Sequence, residues 1–198
     1  HTEMERKCID TGMGIERTIA ILQGKRSVYE TEVFTPIIKR IETLANKTYG
    51  ENEEDDMSIR ILSDHVRTGV FILGDQKGVS PSNVGQGYIL RRLIRRAVRH
   101  AHKLGIEGSF LSELAEVVIE LYKKPYPELL ENREFVMKEL VAEEAKFSAT
   151  LAKGEREFEK MLPNLLKSPN RIISGRTAFK LYDTYGYPIE LTRELAAE

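Results

Sequence analysis

Residues 85–104 read Gly85-Gln86-Gly87-Tyr88-Ile89-Leu90-Arg91-Arg92-Leu93-Ile94-Arg95-Arg96-Ala97-Val98-Arg99-His100-Ala101-His102-Lys103-Leu104. Apolar side chains recur at Leu90, Leu93, Ile94, Ala97, Val98, Ala101 and Leu104, the three-and-four spacing of one helix face. Arg92, Arg95, Arg96, Arg99 and Lys103 recur at the same spacing, and positions 90 and 92 lie about 200° apart on a helical wheel. The expectation is a helix with one face in a core and a basic face offered outward. Residues 91–103 contain no acid. Such a block is an electrostatic footprint for a polyanion, or simply a solvated helix face.

The same periodicity extends in both directions. Helices are expected over 15–22, closed by Gly24, over 32–49, ending near Gly50, and over 58–73. The acidic run 51–56 reads as a loop and 74–78 as a turn. Ser80-Pro81-Ser82-Asn83 introduces the basic helix. A further helix at 109–123 is stopped by Pro125 and Pro127. A long one runs from about Glu128 to Leu162. In it Val136, Phe147 and Phe158, and likewise Leu140, Leu151 and Leu162, recur every eleven residues, so it should be straight and little supercoiled. Gly154 should weaken it. Beyond Pro163 and Pro169 come a helix at 175–185, a stop at Gly186 and Pro188, and a last helix. Residues 7–10 are a short strand end, followed by the Gly-rich turn 11–14. The fold class is mainly α.

Composition sets the outer bounds. The 198 residues are 41% apolar and 31% charged, with 14 Gly, 7 Pro and a net charge of −1. This excludes collagen-like, low-complexity and wholly disordered chains. No stretch reaches the ~18 apolar residues of a membrane helix. A lone Cys8 builds neither an internal disulfide nor a cysteine zinc site, and a reducing, cytoplasmic compartment is expected. His65 reads as a core or helix-end histidine. His100 and His102 lack a third ligand in view, so no metal site is expected. The chain starts at His1 and stops within a helix, and it reads as a piece of something longer.

Asp10-Thr11-Gly12-Met13-Gly14-Ile15-Glu16-Arg17 supplies two flexible glycines and a cation in the first helical turn, where it opposes the helix dipole. A neighbouring carboxylate such as Glu16, or a bound phosphate, would offset it. This octapeptide resembles motif 3 of the class II aminoacyl-tRNA synthetases in its alanyl form. Asp64-His65-Val66-Arg67, the stretch from Pro81 to Ala97, and Ala178-Phe179-Lys180-Leu181-Tyr182-Asp183-Thr184-Tyr185-Gly186-Tyr187-Pro188 resemble further blocks of that family, in its order. One departure is Gln86, where the family commonly has Arg.

The resemblance implies two parts. Residues 1–24 would be the end of a catalytic domain, a strand–turn–helix remnant. Residues 25–198 would be a helical tRNA-recognition domain, with a sub-division near 125. It implies ATP (with Mg), alanine and alanine tRNA as partners of the parent enzyme. Gly12, Gly14, Glu16 and Arg17 would bind ATP, with Arg17 on its phosphates as the catalytic residue. Motifs 1 and 2, a zinc-bearing editing domain and an oligomerisation region would lie elsewhere, so the piece alone is expected not to aminoacylate. Asn83 and Asp183 would read a G·U wobble pair in the acceptor stem, while Arg91, Arg92, Arg95, Arg96 and Arg99 would hold phosphates. Locally, Asn83 also reads as a helix N-cap and Asp183 as a residue bonding backbone at a helix end. Two other classes fit the residues: a non-catalytic helical RNA-binding adaptor, and a nucleotide-binding enzyme unrelated to tRNA.

Overall fold

The computed structural model describes residues 11–197, and the strand expected at 7–10 lies outside them. The described residues form helices joined by short turns, with no strand among them. The fold class is mainly α, as the periodicity predicts.

Helix α1 (Ile15–Leu22) has the expected bounds; it buries Ala20 and leaves Ile21 and Leu22 in solvent. A one-turn 3₁₀ helix at Val28–Glu30 precedes α2 (Thr35–Ala45). α2 ends at Asn46, which takes the left-handed conformation at φ 50°, short of the expected end near Gly50. α3 (Glu53–Gly74) corrects the loop expected at 51–56. Asn52 is its N-cap, its Oδ1 accepting from the backbone N–H groups of Glu54 (2.9 Å) and Asp55 (3.1 Å). The acidic run is the first turn of this helix, where negative side chains meet the unpaired amides and the positive end of the dipole.

α3 packs most extensively on α4 (Gly85–Lys103), the basic helix. α5 (Leu111–Tyr122) and the short α6 (Glu128–Glu131) follow. α7 (Arg133–Lys167) crosses both α4 and α5. The expected long helix is therefore broken at Asn132, whose Nδ2 donates to the Gly74 carbonyl at 3.0 Å. It also continues through Pro163 instead of ending before it. Proline removes one donor from the ladder, but Met161 and Leu162 pack on the core around it and hold the turn in place. α8 (Gly175–Tyr185) and α9 (Ile189–Ala197) form a hairpin at the C-terminal end, turned at Gly186 with φ 67°.

A connected core runs from Phe34 to Leu191. The eleven-residue stripe of α7 lies in it: Val136, Leu140, Phe147, Leu151 and Phe158 are all buried. The buried Glu144 of α7 also sits there. Its carboxylate accepts from the amides of Phe110 (3.0 Å) and Leu111 (3.2 Å) and from Ser109 Oγ (2.6 Å). It thereby caps the start of α5, which has no capping side chain of its own.

Gly154 has a packing role the sequence does not reveal. A Cβ there would meet Tyr187 Cδ2 at 2.2 Å. The fully buried Tyr187 ring lies against this gap in α7 and anchors the α8–α9 turn. Helix propensity alone favours alanine at 154 by about 1 kcal/mol. Packing reverses the sign: Gly154→Ala is expected to destabilise the chain by about 1–3 kcal/mol. Urea unfolding followed by circular dichroism measures it, and a gain in stability would show that Tyr187 shifts freely.

Candidate nucleic-acid interface

The motif blocks lie on different elements. The first runs from the irregular segment at 11–14 into α1. Gly12 has open space where a Cβ would be, a Cβ at Gly14 would touch the Arg17 side chain at an ordinary 3.7 Å, and Gly14 is extended (φ −70°, ψ 119°), so this is not the tight turn expected. Glu16 does not offset Arg17. Its carboxylate binds Arg67 of α3 at 2.5 Å, and that hydrogen bond holds its pKa below the usual carboxylate value. The Arg67 guanidinium lies 4.8 Å from the Phe34 ring centre and 5.5 Å from that of Tyr122. Arg17 itself is exposed, and no carboxylate among the described residues pairs with it. Ile15, Glu16, Arg67, Phe71, Tyr122 and Gln86 are among the residues lining a cleft of about 990 Å3.

The stretch from Pro81 to Ala97 and the rest of α4 carry the arginines, and here the outward basic face is corrected. Each of the five meets a carboxylate from a distant helix. On α7, Glu143 accepts from Arg95 Nε at 2.7 Å and Arg91 Nε at 3.3 Å. On α9, Glu190 lies 3.5 Å from Arg92, and Glu194 lies 2.9 Å from Arg96 and 2.8 Å from Arg99. The four-residue spacing of Glu190 and Glu194 matches that of Arg92 and Arg96, so two helix faces meet in register. Arg99 is only 2% exposed, and Arg95 is covered further by the Phe147 ring, 5.0 Å from its guanidinium. Arg92 and Arg96 keep 49% and 40% of their side chains in water. A helical wheel offers α4 two faces; the fold closes it on three sides, with α3, α7 and α9.

His65 and His100 lie beside this network. His65 Nδ1 is 3.1 Å from Asp64 Oδ2, and its Nε2 is 3.4 Å from Arg96. His100 is buried, with Nδ1 3.1 Å from Ser58 Oγ. Burial, then the charges of Arg96, Arg99, Lys103 and His65, push its pKa down to about 3. Among the described residues no cluster of His, Cys, Asp or Glu is arranged to hold a metal ion. No helix among them is long and apolar enough to cross a membrane.

The two wobble-reading candidates are different in kind from the arginines. Asn83 is exposed just before α4, and the helix cap falls on Val84, so Asn83 is not the N-cap. The turn is held instead by Ser82, whose Oγ donates to the Val84 carbonyl at 2.8 Å. Asp183 is exposed on α8. Neither side chain has a hydrogen-bond or ion-pair partner among the described residues. Sequence reasoning missed the acids Glu143, Glu190 and Glu194, and it missed the exposed aromatics Phe179 and Tyr182 beside Asp183. An aromatic placed on the opposite side of α8 from Leu181 was the available signal.

The described helices and turns thus leave an amide, a carboxylate and a few cations in solvent. Residues 1–198 match the family of class II (A) tRNA synthetases, and the chain belongs to that family. It is 64% identical over 198 residues to the alanine–tRNA ligase of Treponema denticola, covering all of this chain and 33% of that protein. Identity to the Treponema pallidum ligase is 58% over 195 residues, covering 98% and 32%. Identity to the Corynebacterium diphtheriae ligase is 46% over 195 residues, covering 98% and 22%. The chain spans about a third of the length of its Treponema relatives.

Two expected outcomes follow from the network. Arg99→Ala leaves a carboxylate without its buried partner and should cost about 3 kcal/mol, whereas the half-exposed Arg92→Ala should cost less than about 1 kcal/mol. Urea unfolding distinguishes them, and equal costs would mean that Arg99 is not structural. For His100, the folded pKa lies below that of the unfolded chain. Between pH ~6.5 and ~3 the unfolded state therefore holds the extra proton, and stability falls as pH falls, by at most about 1.4 kcal/mol per unit. His100→Gln should flatten that slope in a pH series of unfolding curves; an unchanged slope would place its origin elsewhere.

Proposed function

We propose that this chain is the acceptor-stem-reading part of an alanine–tRNA ligase. Asn83 and Asp183 read a G·U wobble pair, and Arg17 contributes to the ATP site of the parent enzyme. The observation that carries this reading is the contrast in pairing. Every arginine of α4 that was a candidate has a protein carboxylate, while Asn83, Asp183 and Arg17 are exposed and unpartnered among the described residues.

The chemistry suits the residue types. A-form RNA presents its base edges in a wide, shallow minor groove. A wobble pair leaves the guanine 2-amino group there without its usual partner. An ionised carboxylate only accepts, which matches that donor, and an amide both donates and accepts. Arg92 and Arg96, half in water, would contact phosphates and give sequence-independent affinity. Arg95 and Arg99 act through the fold by holding α4 against α7 and α9. ATP, if bound in the parent enzyme, meets Arg17 as a free cation, which would stabilise charge on the phosphates. Of the other residues the resemblance assigns to ATP, Gly12 and Gly14 precede Arg17 on the same segment, and Glu16 is held by Arg67.

Asp183→Ala should lower affinity for a G·U acceptor-stem hairpin by about 1–3 kcal/mol and leave G·C hairpins unaffected. Asn83→Ala should act in the same direction, and the double variant should lose less than the sum if both side chains read one pair. Charging of G·U tRNA by the parent enzyme should fall accordingly. Full G·U selectivity in a folded Asp183→Ala protein would overturn the assignment.

A further inference from the structure

α8 carries a second chemical feature around Asp183. With about 100° per residue, Phe179, Tyr182, Asp183, Arg176 and Lys180 fall within an arc of roughly 160°. Leu181 points the opposite way and is 2% exposed in the core. Phe179 is 63% exposed and Tyr182 54%. The fold does not use them: α8 is attached by Leu181 and by the buried Tyr187 beyond its end. Arg176 and Lys180 are exposed, and neither forms an ion pair among the described residues. One helix face thus presents an acceptor, two flat apolar rings, one phenolic hydroxyl and two unpaired cations.

We propose that Phe179 and Tyr182 form a ribose-packing flank for an RNA stem, with the Tyr182 hydroxyl hydrogen-bonded to a ribose 2′-OH beside the base pair that Asp183 reads. This rests on the reading of Asp183 given above and adds a sugar contact to it. The minor groove of an A-form stem is lined by riboses, and its 2′-OH both donates and accepts. A tyrosine hydroxyl does the same. A helix that sets a carboxylate at the base edges brings its i−1 and i−4 neighbours against the groove wall. There a ring covers the apolar edge of a sugar without needing an unstacked base. The cations at i−3 and i−7 lie toward the phosphates. Arg176 and Lys180 form no ion pair among the described residues, and a polyanion supplies the negative charge that a covering protein surface would have to bring, which is why RNA is the favoured occupant.

The test is fluorescence anisotropy of the whole 198-residue chain with G·U acceptor-stem hairpins. One hairpin is all-ribose and one carries 2′-deoxyribose in the nucleotides flanking the pair. The wild-type chain should bind the deoxy hairpin about fivefold more weakly. Tyr182→Phe should bind the ribose hairpin about fivefold more weakly and no longer distinguish the two. Phe179→Ala should weaken both by about tenfold. Both positions are exposed, and circular dichroism checks that the variants fold. If Tyr182→Phe keeps the wild-type affinity and ribose preference, or Phe179→Ala binds as the wild type does, the rings face protein and the proposal falls. If the ring variants are silent while Asp183→Ala loses G·U over G·C selectivity, the base reading stands without the sugar contact. If Tyr182→Phe abolishes ribose preference but Asp183→Ala changes no selectivity, the sugar contact stands and the base reading falls. No binding of any hairpin overturns both.

Discussion

Five arginines within nine residues can be packed inside a helical protein only if carboxylates reach them. Everything at the C-terminal end of this chain depends on that neutralisation. Glu143 of α7 serves Arg91 and Arg95, and Glu190 and Glu194 of α9 serve Arg92, Arg96 and Arg99. Taking charges out of water is costly, and the pairs repay it only with good geometry. Their contribution is therefore more to placement than to stability. They fix α7 across α4, and they fix α9, and with it the α8–α9 hairpin, against the same helix. Tyr187 seated on Gly154 supplies the apolar half of this attachment. The orientation of Asp183 in solvent is a consequence of both.

Much of this fold is legible in the sequence because its helices are amphipathic. The 3.6-residue period locates α1, α5 and α8 closely, and the eleven-residue stripe of α7 lies in the core. The errors share a cause. At 51–56 and at Pro163, local composition does not carry the cap or the packing that overrides it. Asn52 makes an acidic run into a good first turn, and Met161 and Leu162, packed on the core just before Pro163, hold the helix through it. The outward face of α4 failed for a different reason. The carboxylates that cover it lie 48 to 98 residues further along the chain, and no local pattern announces partners at that distance. A wheel drawn for one helix separates apolar from charged residues, but it does not say which charges face water.

The candidate site was legible in a narrower sense. Asn83 and Asp183 stand out through family resemblance and chemical type, and the fold leaves both in solvent. Composition alone would assign Phe179 and Tyr182 to a core. Only the burial of Leu181 on the other side of α8 shows that they face outward. The same limit applies to Glu144: a carboxylate on one helix capping another is invisible until the two helices are set side by side.

The spacing of the carboxylates along the chain gives the molecule a timetable. A chain made from its N-terminus completes α4 long before its partners exist. Arg95 waits 48 residues for Glu143, and Arg99 waits 95 for Glu194. At about 5–20 residues per second, the second interval is on the order of 5–20 s. During it the nascent chain carries a cationic helix, already apolar on its other side, next to a ribosome made largely of polyanion. Glu143 arrives first and draws α4 under α7. The acids of α9 arrive last, and only then do the remaining arginines exchange solvent and counterions for the protein's own carboxylates.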